Sequence, residues 1–161
     1  MFGNRKKKVL FLCQNNSVQS QMAEGALKKL YGDRFEVYSA GPDPTFVDCD
    51  AIVVMRVADI DIRKQSAKEM ERVEDLRFDY LATVCEEIGK DLPILPTHKR
   101  YLHHPFDGPK CFKATDDKEY MECFASLREE IAGWVKETFA SEESLDASFG
   151  ERRKNPIVRD Q

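Results

Sequence analysis

A cysteine closes an apolar run and a polar loop follows it: Lys8–Cys13 reads KVLFLC, and Gln14–Gln21 reads QNNSVQSQ. Apolar residues fall on both faces of Lys8–Cys13, the pattern of a fully buried strand. After the loop, Ala23, Leu27, Leu30 and Tyr31 recur at helical spacing until Gly32-Asp33 ends the run. A strand, a cysteine, a polar loop and a helix in that order put Cys13 at the carboxyl edge of a sheet, where open α/β folds bind ligands. Loop N–H groups and the first turn of the helix make an anion cradle there. The same field is expected to lower the pKa of Cys13 and so favour the nucleophilic thiolate. The chemistry implied is attack on a bound oxyanion. On position alone, Cys13 reads equally well as a buried strand-end cysteine that only packs.

The elements that must hold this segment follow from periodicity. Phe35–Ala40 (FEVYSA) alternates as a strand and stops at the turn signal Gly41-Pro42. Asp48 is an N-cap for a short helix carrying Ala51, Ile52, Met55 and Val57. Phe78–Cys85 (FDYLATVC) is a third strand, and Tyr101–His104 (YLHH) a short fourth. Asp116 with Glu119 three residues later resembles a capping box. Beyond it Tyr120, Phe124, Leu127, Ile131, Trp134 and Val135 keep a helical period, so a long amphipathic helix closes the domain. Strands alternating with helices imply a mostly parallel sheet with helices on both faces. The expected organisation is one domain over residues 1–140, then a loose polar tail over 141–161 that contains Pro156.

Composition removes several function classes. The 161 residues suit one compact domain able to bury a core without disulfides or a structural metal. A net charge of −4 argues against a general nucleic-acid or anionic-membrane binder. Nothing in the apolar pattern reads as a bilayer span or a signal h-region. Five cysteines without a CxxC pair fit neither a secreted disulfide scaffold nor a zinc site. The expectation is a cytoplasmic protein with reduced thiols.

The segment VLFLCQNNSVQSQMAEGAL resembles the active-site segment of the low-molecular-weight protein tyrosine phosphatase superfamily, in particular its thioredoxin-coupled arsenate reductase branch. The likeness continues through YSAGPDP, IDI at Ile60–Ile62, FDYLATVC, HHPFDGP and the terminal helix, about residues 8–140. It implies a flavodoxin-like three-layer α/β domain with a four-stranded parallel sheet. It also implies Cys13 as nucleophile, with Gln14, Asn15, Asn16, Ser17, Val18, Gln19 and Ser20 as the oxyanion-binding loop. Asn16 matches the residue that shapes the cradle; Ser17 and Ser20 match supporting hydroxyls. Asp107 in PFDGP matches the general acid. Cys85 matches the second cysteine of the arsenate reductases, which attacks the Cys–arsenic adduct, releases arsenite and leaves a disulfide. The function implied is an arsenate reductase-like oxyanion reductase, with arsenate or phosphate as small oxyanion and thioredoxin or another dithiol as reductant. No cofactor and no metal are implied. The alternatives are a low-molecular-weight protein tyrosine phosphatase acting on phosphotyrosine with Cys13 and Asp107, and a catalytically silent oxyanion- or partner-binding member.

The chain departs from that pattern at three places. The family loop is C-x5-R, and position 19 is Gln19, which offers neutral donors and no charge where the planar arginine fork would grip two oxygens. Val18 stands where some relatives have cysteine. A third redox cysteine is expected near Leu92, before Pro93, and is absent from the sequence. Three explanations stand: degeneration, a ligand other than a free tetrahedral dianion, or a charge supplied from elsewhere. Cys49, Cys111 and Cys123 match nothing in the family; Cys123 reads as helix packing, and Cys111 as either a bystander or a substitute resolving thiol. His98, His103 and His104 could join Asp107 at a metal, but adjacent residues on a strand point to opposite faces, which disfavours it. Arg5–Lys8 reads as a solvated lead-in to the first strand.

Overall fold

The structure, a computed structural model, describes residues 5–86, 88, 94–109 and 114–153. Leu92, Pro93 and Cys111 lie outside the described residues. The elements run β1 Lys7–Leu12, α1 Gln19–Tyr31, β2 Phe35–Ala40, α2 Cys49–Val57, β3 Phe78–Thr83, β4 His98–His103, α3 Asp117–Thr138, α4 Glu142–Ser148 and β5 Gly150–Glu151. The sheet order is β2-β1-β3-β4-β5, with the first four strands parallel and β5 antiparallel on the edge.

The two central parallel strands, β1 and β3, are covered on both faces. Val9, Leu10, Phe11 and Leu12 are fully buried in β1, and every residue of β3 is buried, as strands covered on both faces must be. Asp79 in β3 is the exception to the apolar rule. Its carboxylate accepts from Lys8 N–H at 2.8 Å and pairs with Arg5 and Lys99, each at 3.2 Å, so the buried charge is satisfied as it must be. Arg5 is therefore an anchor for the start of the sheet as well as a lead-in to β1.

Helices α1 and α3 pack on each other. Phe11 of β1 meets Trp134 of α3 and Phe139 edge-on at 6.0 and 5.9 Å. The caps behave as the sequence suggests at α2, where the Asp48 carboxylate accepts from the N–H groups of Asp50 and Ala51. At α3, Asp116 accepts from Glu119 N–H, while the Glu119 carboxylate turns to Thr115 instead of completing the box.

The fold class is as expected, with two adjustments. The fourth strand begins at His98, earlier than Tyr101, because β4 pairs with β3 from Phe78↔His98 onward. Residues 141–151, at the start of the expected tail, are ordered. Ser141 and Ser144 form a reciprocal capping box at the start of α4, and Leu145 and Phe149 are buried at 1% and 2% exposure. Phe149 packs on Tyr80 and Phe139 at 5.0 and 5.8 Å. Burying side chains of this size is worth about 1.5–3 kcal/mol each, enough to order a short polar segment. Leu145 and Phe149, four residues apart in a polar stretch, are too few to make a helical period legible.

Candidate active site

The sheet order 2-1-3-4 reverses direction between β1 and β3, and the crevice outside the carboxyl ends of those strands is where such sheets bind ligands. Cys13 follows β1 directly, and Cys85 lies two residues past β3. The register Leu12↔Thr83 and the bond from Val84 N–H to the Leu12 carbonyl at 2.9 Å set the two strand ends side by side. The two sulfurs converge there: the Cys85 sulfur accepts from the N–H of Gln14, the residue after Cys13, at 3.2 Å, and lies close enough to Cys13 to raise its pKa. Cys13 and Cys85 are 5% and 1% exposed and neither is in a disulfide.

The loop between Cys13 and α1 is held from outside. Its carbonyls at Gln14, Asn15 and Ser17 accept from the N–H groups of Asp43, Thr45 and Asp48 at 3.0–3.1 Å. In a planar trans peptide the N–H points away from the carbonyl. The N–H groups of Asn15, Asn16 and Val18 therefore face the opposite way from that clamp. Helix α1 starts with Val18 as N-cap, has no side-chain cap, and carries no acidic residue in its first turn. Its first N–H groups remain available to a ligand. The N–H of Gln14 donates to the Cys85 sulfur at 3.2 Å.

Asn16 is the pivot of the loop. It sits fully buried at φ 47°, a left-handed conformation that asparagine tolerates better than most residues. Its Nδ2 donates to Ser20 Oγ at 2.8 Å and Ser39 Oγ at 2.9 Å, and its Oδ1 accepts from Lys68 N–H at 2.8 Å. Ser39 in turn donates to the buried Glu24, which pairs with Lys28 and Lys68. Gly41 is required where it stands: a Cβ there would lie 2.2 Å from the Cys13 carbonyl oxygen and 2.8 Å from that of Gln14. Ser39, Glu24 and Lys68 come from three separate segments, and no local sequence pattern marks them.

Two expectations about the site change. Cys13 was expected to be acidified, and its pKa is instead raised. The Cys85 sulfur beside it, which competes for the same negative charge, and burial both disfavour the Cys13 thiolate, and together they outweigh the N–H groups of Ser20 and Gln14, which pull the other way. Gln19 is also more than a spectator. Its Oε1 accepts from the Cys13 thiol at 3.5 Å, and its Nε2 donates to the Phe106 carbonyl at 3.2 Å.

The 104–109 segment runs along the end of β3, with His104 and Phe106 N–H groups donating to Thr83 and Val84 carbonyls at 2.9 Å. Asp107 follows, exposed, in a groove against α3 that Glu119, Glu122, Cys123 and Glu130 also line. Gly108 is the residue of this segment whose open side faces the loop: a Cβ there would lie 3.9 Å from Gln19 Nε2. His103 and His104 diverge, the first bonding Thr83 Oγ1 at 2.6 Å and the second stacking on Trp134 at 5.0 Å. Cys49 is exposed at the start of α2.

Residues 8–145 match the model of the low molecular weight phosphotyrosine protein phosphatase family. The chain belongs to that family. Among its relatives, the arsenate reductase of Halalkalibacterium halodurans is 36% identical over 135 residues, 84% of this chain and 96% of that protein. The arsenate reductase of Bacillus subtilis is 33% identical over 131 residues, 81% and 94% of the two chains. A solved arsenate reductase in its phosphate-binding state superposes with a TM-score of 0.70 at 28% identity, covering 83% of this chain and 97% of that one. The family match extends past Ser141 to residue 145, in α4.

Proposed function

We propose that this phosphatase-family protein reduces arsenate, or a closely similar tetrahedral oxyanion, through the pair Cys13 and Cys85. The single observation that carries this reading is the placement of two buried cysteines side by side at the topological switch point, the Cys85 sulfur accepting from Gln14 N–H at 3.2 Å. A hydrolase of this fold needs one cysteine; a second buried thiol beside the first suits a reaction that ends in a disulfide. The relatives named arsenate reductase support the same choice.

In this reading Cys13, as thiolate, attacks arsenic while an arsenate oxygen is protonated and leaves as water. Asp107 is the proton donor. Cys85 then attacks the Cys13 sulfur, the Cys13 S–As bond breaks, and its electron pair departs with arsenic as arsenite. The Cys13–Cys85 disulfide holds the two-electron oxidation until thioredoxin or another external dithiol reduces it. Loop N–H groups and the uncapped start of α1 bind the oxyanion. Disulfide formation requires Cα atoms within about 7 Å, and adjacent strand ends in register satisfy that with little movement.

Gln19 favours a second reading. It supplies no charge to a dianion and is already bonded to both Cys13 and Phe106. A member that binds an oxyanion or a partner without turning over would keep such a loop, and phosphotyrosine hydrolysis by Cys13 and Asp107 would be slow with it. Arsenate turnover with a thioredoxin system, run beside aryl-phosphate hydrolysis on the same sample, separates the three. Thioredoxin-dependent arsenite release is expected; hydrolysis alone would make it a phosphatase, and neither activity would make it a binding protein.

A further inference from the structure

We infer that Gln19 is a positioning residue that couples the proton on Cys13 to the seating of the 104–109 segment: the segment is tethered to the loop while Cys13 is a thiol and released when Cys13 becomes a thiolate. The inference rests on the reading of Cys13 as nucleophile and Asp107 as acid, but it requires neither arsenate nor Cys85.

A carboxamide donates from one end and accepts at the other. The Phe106 carbonyl can only accept, so Gln19 Nε2 is the atom that meets it, at 3.2 Å. Oε1 is thereby turned to the Cys13 sulfur at 3.5 Å, where it accepts from the thiol. A thiolate has no proton to give. With the side chain in this place, a thiolate facing Oε1 sets two acceptors against each other. If the amide turns over, Nε2 reaches the sulfur, but Oε1 then faces the Phe106 carbonyl, again acceptor against acceptor. Either way, one end of the tether is lost when Cys13 ionises.

The tether acts on the acid's own stretch of chain. Backbone bonds to Thr83 and Val84 hold the N–H groups of His104 and Phe106. Gln19 holds the carbonyl of Phe106, which lies in the same planar peptide unit as the Asp107 nitrogen. On the far side of Asp107, a Cβ at Gly108 would stand 3.9 Å from the same Nε2. The other titratable groups around Cys13 have partners or places of their own. Cys85 faces it from the end of β3, and its sulfur takes Gln14 N–H at 3.2 Å. The first turn of α1, from Gln19 to Gln21, brings no charge. On the clamp side of the loop, Asp43 accepts from Asn15 and Asp48 caps α2. On the 104–109 segment, His104 stacks on Trp134 at 5.0 Å, and Asp107 is exposed in the groove with Glu119, Glu122 and Glu130.

The test measures amide hydrogen exchange at Phe106, Asp107 and Gly108 in the reduced full-length protein. Emission of Trp134, the chain's one tryptophan, is a second readout, since its ring lies 5.4 Å from that of Phe106. Cys13→Ser keeps a proton donor against Oε1; Cys13→Asp places an anionic acceptor there at about pH 8, well above the ordinary carboxyl range. Exchange should be about fivefold faster in Cys13→Asp than in Cys13→Ser, the opening expected from losing one neutral hydrogen bond. With Gln19→Met added to both, the difference should vanish. In the otherwise natural protein, Gln19→Met and Gln19→Glu both untie Phe106, and both should speed exchange. They should nevertheless shift the pH profile of Cys13 alkylation in opposite directions. Gln19→Met removes the acceptor that holds the thiol proton and should lower it; Gln19→Glu sets a negative charge beside the sulfur and should raise it. A merely structural role would not split that sign. Equal exchange in Cys13→Ser and Cys13→Asp, a difference that persists with Gln19→Met, or two profiles shifted the same way overturns the inference. If Cys13→Asp does not melt cooperatively, the two profiles decide alone. Arsenate turnover by the natural protein keeps the readings apart. Coupling without turnover supports this inference while the reductase reading falls, and turnover without coupling defeats this inference alone.

Discussion

Gln19 ties the nucleophile loop to Phe106: its Nε2 donates to the Phe106 carbonyl at 3.2 Å while its Oε1 accepts from the Cys13 thiol. One carboxamide thus links the sulfur at the end of β1 to the segment that continues β4. It also favours the protonated form of that sulfur, since only a thiol can donate to it.

Gln19→Arg should strengthen oxyanion binding. A charge-assisted hydrogen bond contributes about 1.5–3 kcal/mol against about 1 for a neutral one, and each tenfold in affinity is about 1.4 kcal/mol. Phosphate affinity measured by calorimetry should therefore rise about tenfold. Single-turnover arsenate reduction should gain more than binding does, because the guanidinium grips oxygens whose charge changes in the transition state. No gain in either would mean that the oxyanion charge is met by another group.

Mild oxidation should join Cys13 to Cys85 before any pairing of Cys49, Cys111 or Cys123, as read by peptide mapping. In the reduced protein the Cys85→Ala variant should titrate Cys13 at lower pH than the natural protein. The neighbour that raises the Cys13 pKa most is gone, while the Ser20 and Gln14 N–H groups that lower it remain. The pH profile of Cys13 alkylation, followed on its own peptide, checks the direction. An unchanged profile would show that burial alone holds the thiol protonated.

Asp107→Asn should slow turnover by about 10²–10⁴-fold, the usual contribution of a general acid, with little effect on phosphate affinity. Unchanged turnover would remove Asp107 from the mechanism. Gly108→Asp then becomes the informative variant. A Cβ at 108 meets its first neighbour, Gln19 Nε2, at an ordinary 3.9 Å, so a carboxyl fits there facing the loop.

Acid should loosen the edge of the sheet through His98. Its Nδ1 bonds the Pro96 carbonyl at 2.8 Å, and its Nε2 accepts from Arg153 N–H at 3.1 Å, so the neutral ring is the one the fold uses. Burial, assisted by the charges of Arg152 and Arg153, lowers its pKa below the ordinary value. A base with a depressed pKa in the folded state stabilises that state fully above its unfolded pKa of about 6.5. That contribution is lost as pH falls through this value towards the lower folded one. Melting temperature should fall between about pH 7.5 and pH 5.5, and His98→Gln should flatten that part of the curve. Equal slopes in the two proteins would place the acid sensitivity elsewhere.

The segment from Val9 to Leu27 carried the strand, the loop, the helix and the nucleophile in local order, because apolar period and polar interruption are properties of neighbouring residues. The caps at Asp48 and Asp116 were legible for the same reason. Partners far apart in the chain were not. Nothing local announces that Ser39, Glu24 and Lys68 converge on Asn16, or that Leu145 and Phe149 dock α4 beneath the sheet. The largest change came at Cys13. The sequence by itself determined that a cysteine would meet a row of N–H groups, and from that alone a lowered pKa follows. Only the tertiary structure decided that β3 would deliver a second thiol to the same point and bury both. Desolvation and a neighbouring sulfur are through-space effects, set by strand order, and they reverse the sign that the loop's own dipoles impose.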